Sequence, residues 1–278
     1  MSLLKRDRLT GVIVSITIIG AGVMGETILS GLLRSGISSD EIVIAERRAE
    51  RVAELTQQYA VECRDIVPSV SDASTVLLVV KPADIAGVLT EISAELTPGT
   101  LIISLAAGIT TSFMEQHLPA GTAVARVMPN TPALLEQGMS VISPGANCKP
   151  EHVAQAEHLL GTVGRVLVVP ESDQDAVTAI SGSGPAYIFY IAEAMIAAGE
   201  SLGMSHDISV ELVTQTIFGA ATMLRQTNDA PEILRQRVSS PGGTTVAAIN
   251  TLDELGVREA FEKAMHAARN RSQELGAQ

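Results

Sequence analysis

Gly20-Ala21-Gly22-Val23-Met24-Gly25 constrains the fold of this chain more than any other stretch. It follows a short β-branched run, Ile16–Ile19, and leads into apolar residues at helical spacing over Val23–Arg34, closed by Gly36. A buried strand that enters a glycine turn and then a helix offers free backbone N–H groups to an anion. The GxGxxG pattern alone is a weak signal, but here Glu46 stands 21 residues after Gly25, at the end of the next expected strand. That is the context a dinucleotide fingerprint requires. Gly20 then makes the turn, Gly22 lets a pyrophosphate approach the backbone, and Gly25 lets the helix pack on the strand. The plain alternative is a glycine-rich turn in an unrelated α/β protein.

Further strands are expected at Glu41–Ala45, Thr75–Val80, Leu101–Leu105 and Ala123–Val127, with a helix over Arg47–Tyr59. Strands alternate with helical stretches to about residue 170, which implies a mostly parallel sheet covered on both faces. Beyond Ser172 no strand pattern remains. Ala186–Met204 is apolar nearly all round, and Val210–Leu224 is similar, with Gly219, Ala220 and Ala221 permitting close approach. A helix apolar on every side must be buried on every side. Too few amphipathic helices remain to cover these two, so a second copy is expected across a two-fold interface. A compact monomeric bundle is the alternative. The expected fold is an α/β Rossmann-type domain over 1–170, followed by an all-α domain over 171–278 that binds substrate and dimerises.

The bulk numbers exclude several classes. At 278 residues, 46% apolar and 18% charged, the chain builds a packed globular core. A net charge of −12 argues against nucleic-acid partners, as does 3% aromatic content with no Trp. Cys63 and Cys148 form no CxxC pair, and no Cys/His cluster has metal spacing, so no metal is expected. The start, Met1–Thr10, is polar and carries Lys5, Arg6, Asp7 and Arg8, unlike a signal peptide. The apolar run Val12–Gly22 is too short to span a bilayer. A cytoplasmic protein without membrane partners is the expectation.

Three strand ends line up as Val79-Val80-Lys81-Pro82, Ala106-Ala107-Gly108 and Met128-Pro129-Asn130. Ligands of such sheets sit beyond the carboxyl ends of the strands. Ala106, Ala107 and Gly108 leave room for a flat ring, and Asn130 suits a carboxamide. Glu46 favours an unphosphorylated adenosine ribose, whereas Arg47 and Arg48 favour a 2′-phosphate; the pattern leaves both NAD and NADP open.

A second glycine turn lies at Ser239-Ser240-Pro241-Gly242-Gly243-Thr244-Thr245, with a helix expected over Val246–Leu255. The N–H groups of Gly243, Thr244 and Thr245 are then free for a carboxylate, and the Thr245 hydroxyl can reach a substrate nitrogen. Simple N-capping by Ser240 or Thr244 is the bland reading, but a cap needs no double glycine. Ser181-Gly182-Ser183-Gly184-Pro185 opens the long apolar helix, where capping with close packing competes evenly with substrate contact. The histidines, His117, His152, His158, His206 and His266, fall on polar helix-like stretches and read as surface residues.

Taken in order, Gly20–Gly25, Val80-Lys81-Pro82, Ala106-Ala107-Gly108, Arg126–Pro132, Ser181–Pro185 and Ser240–Thr245 make the chain resemble the pyrroline-5-carboxylate reductases from about Val14 to Gln273. The Ser-Pro-Gly-Gly-Thr-Thr and Met-Pro-Asn-Thr-Pro stretches are highly specific to that family. The resemblance implies reduction of 1-pyrroline-5-carboxylate to L-proline by hydride from NAD(P)H, with NADPH the usual reductant. It also implies homodimers that often assemble further, commonly into decamers. By position, Ile19, Gly20, Ala21, Gly22, Val23 and Met24 would contact the pyrophosphate, and Arg47 would lie nearest the adenosine phosphate. Val79, Val80, Lys81, Pro82, Ala106, Ala107 and Gly108 would line the rest of the cofactor. Thr245 would face the imine, with Ser240 and the backbone of Gly242, Gly243 and Thr244 taking the carboxylate. Glu171 matches a ligand-contacting acid of some relatives. The chain departs from the pattern at Asn228, where some relatives carry an acid; Asp229 is adjacent.

A protonated imine is the better hydride acceptor, and a Thr hydroxyl can hydrogen-bond or relay a proton to its nitrogen. The remainder is positioning of two bound partners. One rival is a β-hydroxyacid dehydrogenase, whose catalytic Lys sits on the helical domain. This chain's lysines are Lys5, Lys81, Lys149 and Lys263, and none lies between Pro150 and Glu262. A non-catalytic NAD(P)-binding oligomer is the other rival, and it would have no need of Ser240–Thr245.

Overall fold

The computed structural model describes residues 15–276; the polar Met1–Thr10 start lies outside them. The described chain forms two compact units, one drawn from residues up to Gly182 and from Ala268 onward, the other Ser183–Ala267.

The first unit is organised by one eight-stranded sheet. Its strands in chain order are β1 (Ile16–Ile19), β2 (Ile42–Ala45), β3 (Glu62–Arg64), β4 (Thr75–Leu78), β5 (Leu101–Ser104), β6 (Ala123–Met128), β7 (Gly138–Pro144) and β8 (Gly164–Val168). They lie in the order β3-β2-β1-β4-β5-β6-β7-β8. All neighbours are parallel except β6 with β7. The mostly parallel Rossmann-type sheet is therefore as expected. The strand order reverses between β1 and β4, which opens a crevice at their carboxyl ends.

Alternation of side chains decides the two cores. Ile16 and Ile18 of β1, Leu77 of β4 and Leu101 and Ile103 of β5 face one core, with Ile28, Leu29 and Leu32 of the Val23–Arg34 helix. Ile19, Val76, Leu78 and Ile102 face the other, with Ile85, Leu89 and Ile92 of the Ile85–Ile92 helix. Most of these side chains are fully buried. Each contributes roughly 1.5–3 kcal/mol of transfer free energy.

Three strands were not among those expected. β3 is Glu-Cys-Arg at one sheet edge, where a charged strand is favourable but shows no apolar run. β7 carries Gly138, Ser140, Ser143 and Pro144, a loop-like composition. Its polar groups are satisfied inside the fold: Gln174 Nε2 donates to Val141 O at 3.1 Å and to Ser143 Oγ at 2.8 Å. β8 forms the opposite edge and leaves Leu167 and Val168 exposed.

The second unit is all helix among its described residues, with helices Gly184–Ser201, His206–Gln226, Pro231–Arg237 and Thr244–Glu254, and Val257 begins the last helix, Val257–Gly276. The two long helices pack together, and Gly199 permits this: a β-carbon there would lie 2.6 Å from Ser209 Oγ. Only Ser209, Val213 and Leu234 are buried within Ser183–Ala267. Phe189 and Phe218 are 62% and 68% exposed in the single chain. The apolar faces that the sequence places on these helices thus remain uncovered by the chain's own residues. Among the described residues, no helix is long and apolar enough to cross a membrane.

Candidate functional site

Hydrogen bonds continue the ladder beyond the strand ends and fix the carboxyl edge of the sheet. Gly20 N donates to Ala45 O at 2.9 Å, Val79 N to Ile19 O at 2.9 Å, and Leu105 N to Leu78 O at 3.0 Å. Gly20, Glu46, Val79 and Leu105 therefore stand side by side. Gly20 has φ +94°, and a β-carbon there would lie 2.8 Å from Val79 O. Both the backbone turn and the neighbouring strand require glycine at this position.

The Val23–Arg34 helix starts from Gly22 with no side-chain cap. The first N–H groups of such a helix have no intrahelical acceptor, and the dipole adds positive potential there. A β-carbon on Gly22 would meet nothing within 4 Å, so the backbone is open to an approaching group. That open, uncapped turn fits a dinucleotide pyrophosphate.

Ala21 is gripped on both of its polar groups. Its N–H donates to Glu46 Oε2 at 3.2 Å, and its carbonyl accepts from Arg51 Nε at 3.0 Å. Arg51 also pairs with Glu26 and with Glu54, and Tyr59 Oη donates to Glu26 Oε1 at 2.9 Å. Sequence reasoning missed this brace. Its one trace was the density of alternating charges from Glu46 to Glu54.

The sequence left the direction of Glu46 open. In the structure its side chain is only 8% exposed and points into the turn. Arg48 embraces it: Nε and the backbone N–H donate to Oε1, and Nη2 donates to Oε2, each at 3.0 Å. The Arg48 hydrogen bonds hold the Glu46 carboxyl far below its ordinary range, at about 2, outweighing desolvation with help from the Arg48 and Ala21 N–H groups. Arg47 reaches away to Glu91, with Nη2 to Oε2 at 3.0 Å.

The other expected cofactor residues divide by exposure. Ile19, Ala21 and Ala106 are buried, so they offer a ligand backbone rather than side chain. For Ala106 this corrects the sequence picture of three small residues leaving room for a ring: its methyl packs into the second core, and Ala107 is the exposed member. Gly108 has φ +79°, and a β-carbon there would come within 3.3 Å of Gly276 N. Val23, Lys81 and Pro82 are exposed, whereas Met24, Val79 and Val80 pack partly against the cores.

Asn130, expected at a carboxamide, uses its side chain to tie the fold. Nδ2 donates to Ser181 O at 3.0 Å and Oδ1 accepts from Met139 N at 2.8 Å. Nearby, Gly182 packs on Met128, where a β-carbon would lie 2.5 Å from its Cε. Close packing thus accounts for one residue of Ser181–Pro185, and no side chain caps the Gly184–Ser201 helix. Glu171, matched above to a ligand-contacting acid, is engaged within the first unit. It accepts from Thr111 N at 2.8 Å and from Thr111 Oγ1 at 2.6 Å, and it pairs with Arg126 Nη1 at 3.3 Å. Arg126 is 9% exposed in its side chain, so Glu171 neutralises a buried charge.

In the second unit, Gly242 has φ +72° and Gly243 precedes the Thr244–Glu254 helix without a side-chain cap. A β-carbon on Gly243 would lie 2.5 Å from Ser240 Oγ. Gly242 is thus favoured by its left-handed backbone and Gly243 by its close packing on Ser240. One correction follows: the Gly243 N–H is not free, since it donates to Ser240 O at 3.0 Å. The N–H groups of Thr244 and Thr245, in the first helical turn, are the ones that remain for an anion. Ser240 is exposed and Thr245 half-buried. At Asn228 the backbone is left-handed, with φ +58°, and the adjacent Asp229 is held by Arg237. Among the described residues, no group of three or more His, Cys, Asp or Glu could hold a metal ion.

A family model described as pyrroline-5-carboxylate reductase dimerisation matches residues 171–275. A second, described as NADP oxidoreductase coenzyme F420-dependent, matches residues 15–108. A pyrroline-5-carboxylate reductase of Corynebacterium melassecola is 44% identical over 266 residues, which are 94% of this chain and 98% of that protein. The structure of a pyrroline-5-carboxylate reductase from Coxiella burnetii matches with a TM-score of 0.91 at 37% identity, covering 94% of this chain and 98% of that one. The structure of Plasmodium falciparum pyrroline carboxylate reductase with NADP bound matches with a TM-score of 0.83 at 25% identity, covering 95% and 98%.

Proposed function

The chain belongs to the pyrroline-5-carboxylate reductase family, and on that premise we propose that it reduces 1-pyrroline-5-carboxylate to L-proline, the last step of proline synthesis. NADPH is the proposed reductant, with NADH accepted in its place. The observation that carries the reading is the Ser240–Thr245 turn, where Gly242 takes a left-handed φ of +72° and the Thr244–Glu254 helix begins with no side-chain cap, leaving its first N–H groups to an anion.

A bound reduced nicotinamide supplies the hydride. The chain's own residues bind, orient and protonate. The N–H groups of Thr244 and Thr245 take the substrate carboxylate, aided by the helix dipole and the Ser240 hydroxyl. The Thr245 hydroxyl sits at the ring nitrogen, where it relays the proton that forms the iminium and its oxygen then accepts from the iminium N–H. Gly20–Gly25 hold the pyrophosphate; Val79–Pro82 and Ala106–Gly108 border the remainder of the dinucleotide. Seating both partners on rigid elements turns a bimolecular encounter into an oriented one. Residues 1–170 serve the dinucleotide, and 171–278 serve substrate and a homodimer, with further assembly into decamers. The protein works in the cytoplasm.

The test mixes purified protein with pyrroline-5-carboxylate and each reduced cofactor, following loss of the nicotinamide absorbance. Turnover that yields proline is expected. Absence of turnover with both cofactors, in protein that still binds them, rejects the reading.

A further inference from the structure

The adenosine end of the dinucleotide cradle is electrostatically settled before any ligand arrives. Four arginines lie in the chain around the end of β2 and the neighbouring β3, and each is already bonded to a carboxylate. Arg47 pairs with Glu91, Arg48 with Glu46, Arg51 with Glu26 and Glu54, and Arg64 with Glu62. The pairs differ in how easily they part. Arg47 and Glu91 are 73% and 38% exposed, so that bond is weak and screened. Glu46 is different: it is 8% exposed and pinned by the N–H groups of Ala21 and Arg48, so it cannot swing aside.

A phosphate on the adenosine ribose carries close to two negative charges at neutral pH and seeks bidentate arginine donors. Arg47, weakly held by Glu91, can turn to it, but Arg48, with the same fork, has two of its nitrogens committed to Glu46. A phosphate drawn to Arg48 must therefore compete for those nitrogens while approaching a fixed like charge. An unphosphorylated ribose brings no charge toward the Glu46 carboxylate and requires none of the Arg48 nitrogens, so it meets no such barrier. Glu46 also forms part of the wall of an open cleft of about 410 Å³ with Val52, Cys63, Arg64, Asp65 and Pro68, so there is room beside it.

We propose that Glu46 sets this chain's choice between the two reduced dinucleotides, by withholding Arg48 from the 2′-phosphate and so narrowing the margin of NADPH over NADH. The proposal rests on the dinucleotide cradle and not on the imine chemistry.

The experiment titrates NADPH and NADH separately into the full-length protein without imine, reading nicotinamide fluorescence at fixed ionic strength. Glu46→Gln keeps an acceptor for the Ala21 N–H but removes the charge. It is expected to raise the affinity for NADPH relative to NADH about tenfold. Arg48→Met in the same background is expected to cancel that gain, while in the wild-type background it changes the ratio by less than threefold. Thermal melts of each variant identify any that fail to fold, and for those Glu46→Asp, which retracts the charge without removing it, replaces Glu46→Gln with the same expected direction. A ratio that stays within threefold of wild type, or moves toward NADH, overturns the proposal; so do purely additive effects of the two substitutions. Wild-type protein that binds neither nucleotide would overturn the cradle itself, whereas normal binding without proline formation would count only against the imine reading.

Discussion

A β-carbon on Gly25 would lie 2.2 Å from the carbonyl oxygen of Gly20, so the first helix can reach its strand only because position 25 lacks a side chain. Gly25→Ala is therefore expected to destabilise the fold by roughly 1–3 kcal/mol, the usual cost of overpacking. Gly22→Ala should leave stability within about 0.5 kcal/mol, because a β-carbon there meets open space. That same methyl occupies the approach to the backbone, so dinucleotide affinity should fall. Urea denaturation and cofactor titration of the two variants, side by side, check the split.

Acid should expose the Glu46 contribution. Its folded carboxyl titrates at about 2, below its ordinary value of 4.5. A depressed pKa stabilises the fold above 4.5, and the benefit is lost as pH falls from there toward 2. Glu26 and Glu62 are lowered as well and share the trend. Glu46→Gln should flatten the fall in stability across that window relative to wild type. Denaturation midpoints measured at a series of pH values give the difference directly, and identical curves would remove Glu46 from the account.

Removing the Thr245 hydroxyl tests the proposed proton donor. Thr245→Ala should lower kcat by about 10²-fold or more while leaving cofactor affinity nearly unchanged. Steady-state kinetics with a parallel binding titration separate the two effects. Full turnover in this variant means that another group protonates the imine.

Glu171 offers a choice between two roles. As the partner of buried Arg126 and of the Thr111 N–H, its loss leaves a charge and a donor unsatisfied. Glu171→Ala should then destabilise the fold by roughly 2–4 kcal/mol. A role at the substrate predicts instead a raised KM with unchanged stability. Thermal melts and Michaelis curves on the same sample decide between them.

The uncovered helices of the second unit predict that the chain pairs with a second copy. Phe189→Glu and Phe218→Glu place charges on strongly exposed apolar positions of the single chain. Analytical ultracentrifugation should show a shift toward monomer at micromolar concentration. A wild-type chain that sediments as a monomer would return these faces to another partner.

Local order was legible from the residues alone where one physical requirement dominated. The Ile16–Ile19 strand, the glycine turn and the Val23–Arg34 helix follow from periodicity and from backbone conformations that only glycine reaches cheaply. Gly242, before the Thr244–Glu254 helix, is of the same kind. The edge strand β3, Glu-Cys-Arg, and β7 with its two serines carry no such apolar pattern, because their backbones are held by pairing with the neighbouring strands β2, β6 and β8. What only the tertiary structure decided is how charges share partners. Glu46 turns toward Ala21 and Arg48, Arg47 toward Glu91, Asn130 toward Ser181 and Met139, and Glu171 toward Thr111 and Arg126. A hydrogen bond needs direction and a distance near 3 Å between groups far apart in the chain. Neither is written in residue type or spacing, so chain-local reasoning supplied the candidates while three-dimensional packing assigned their partners.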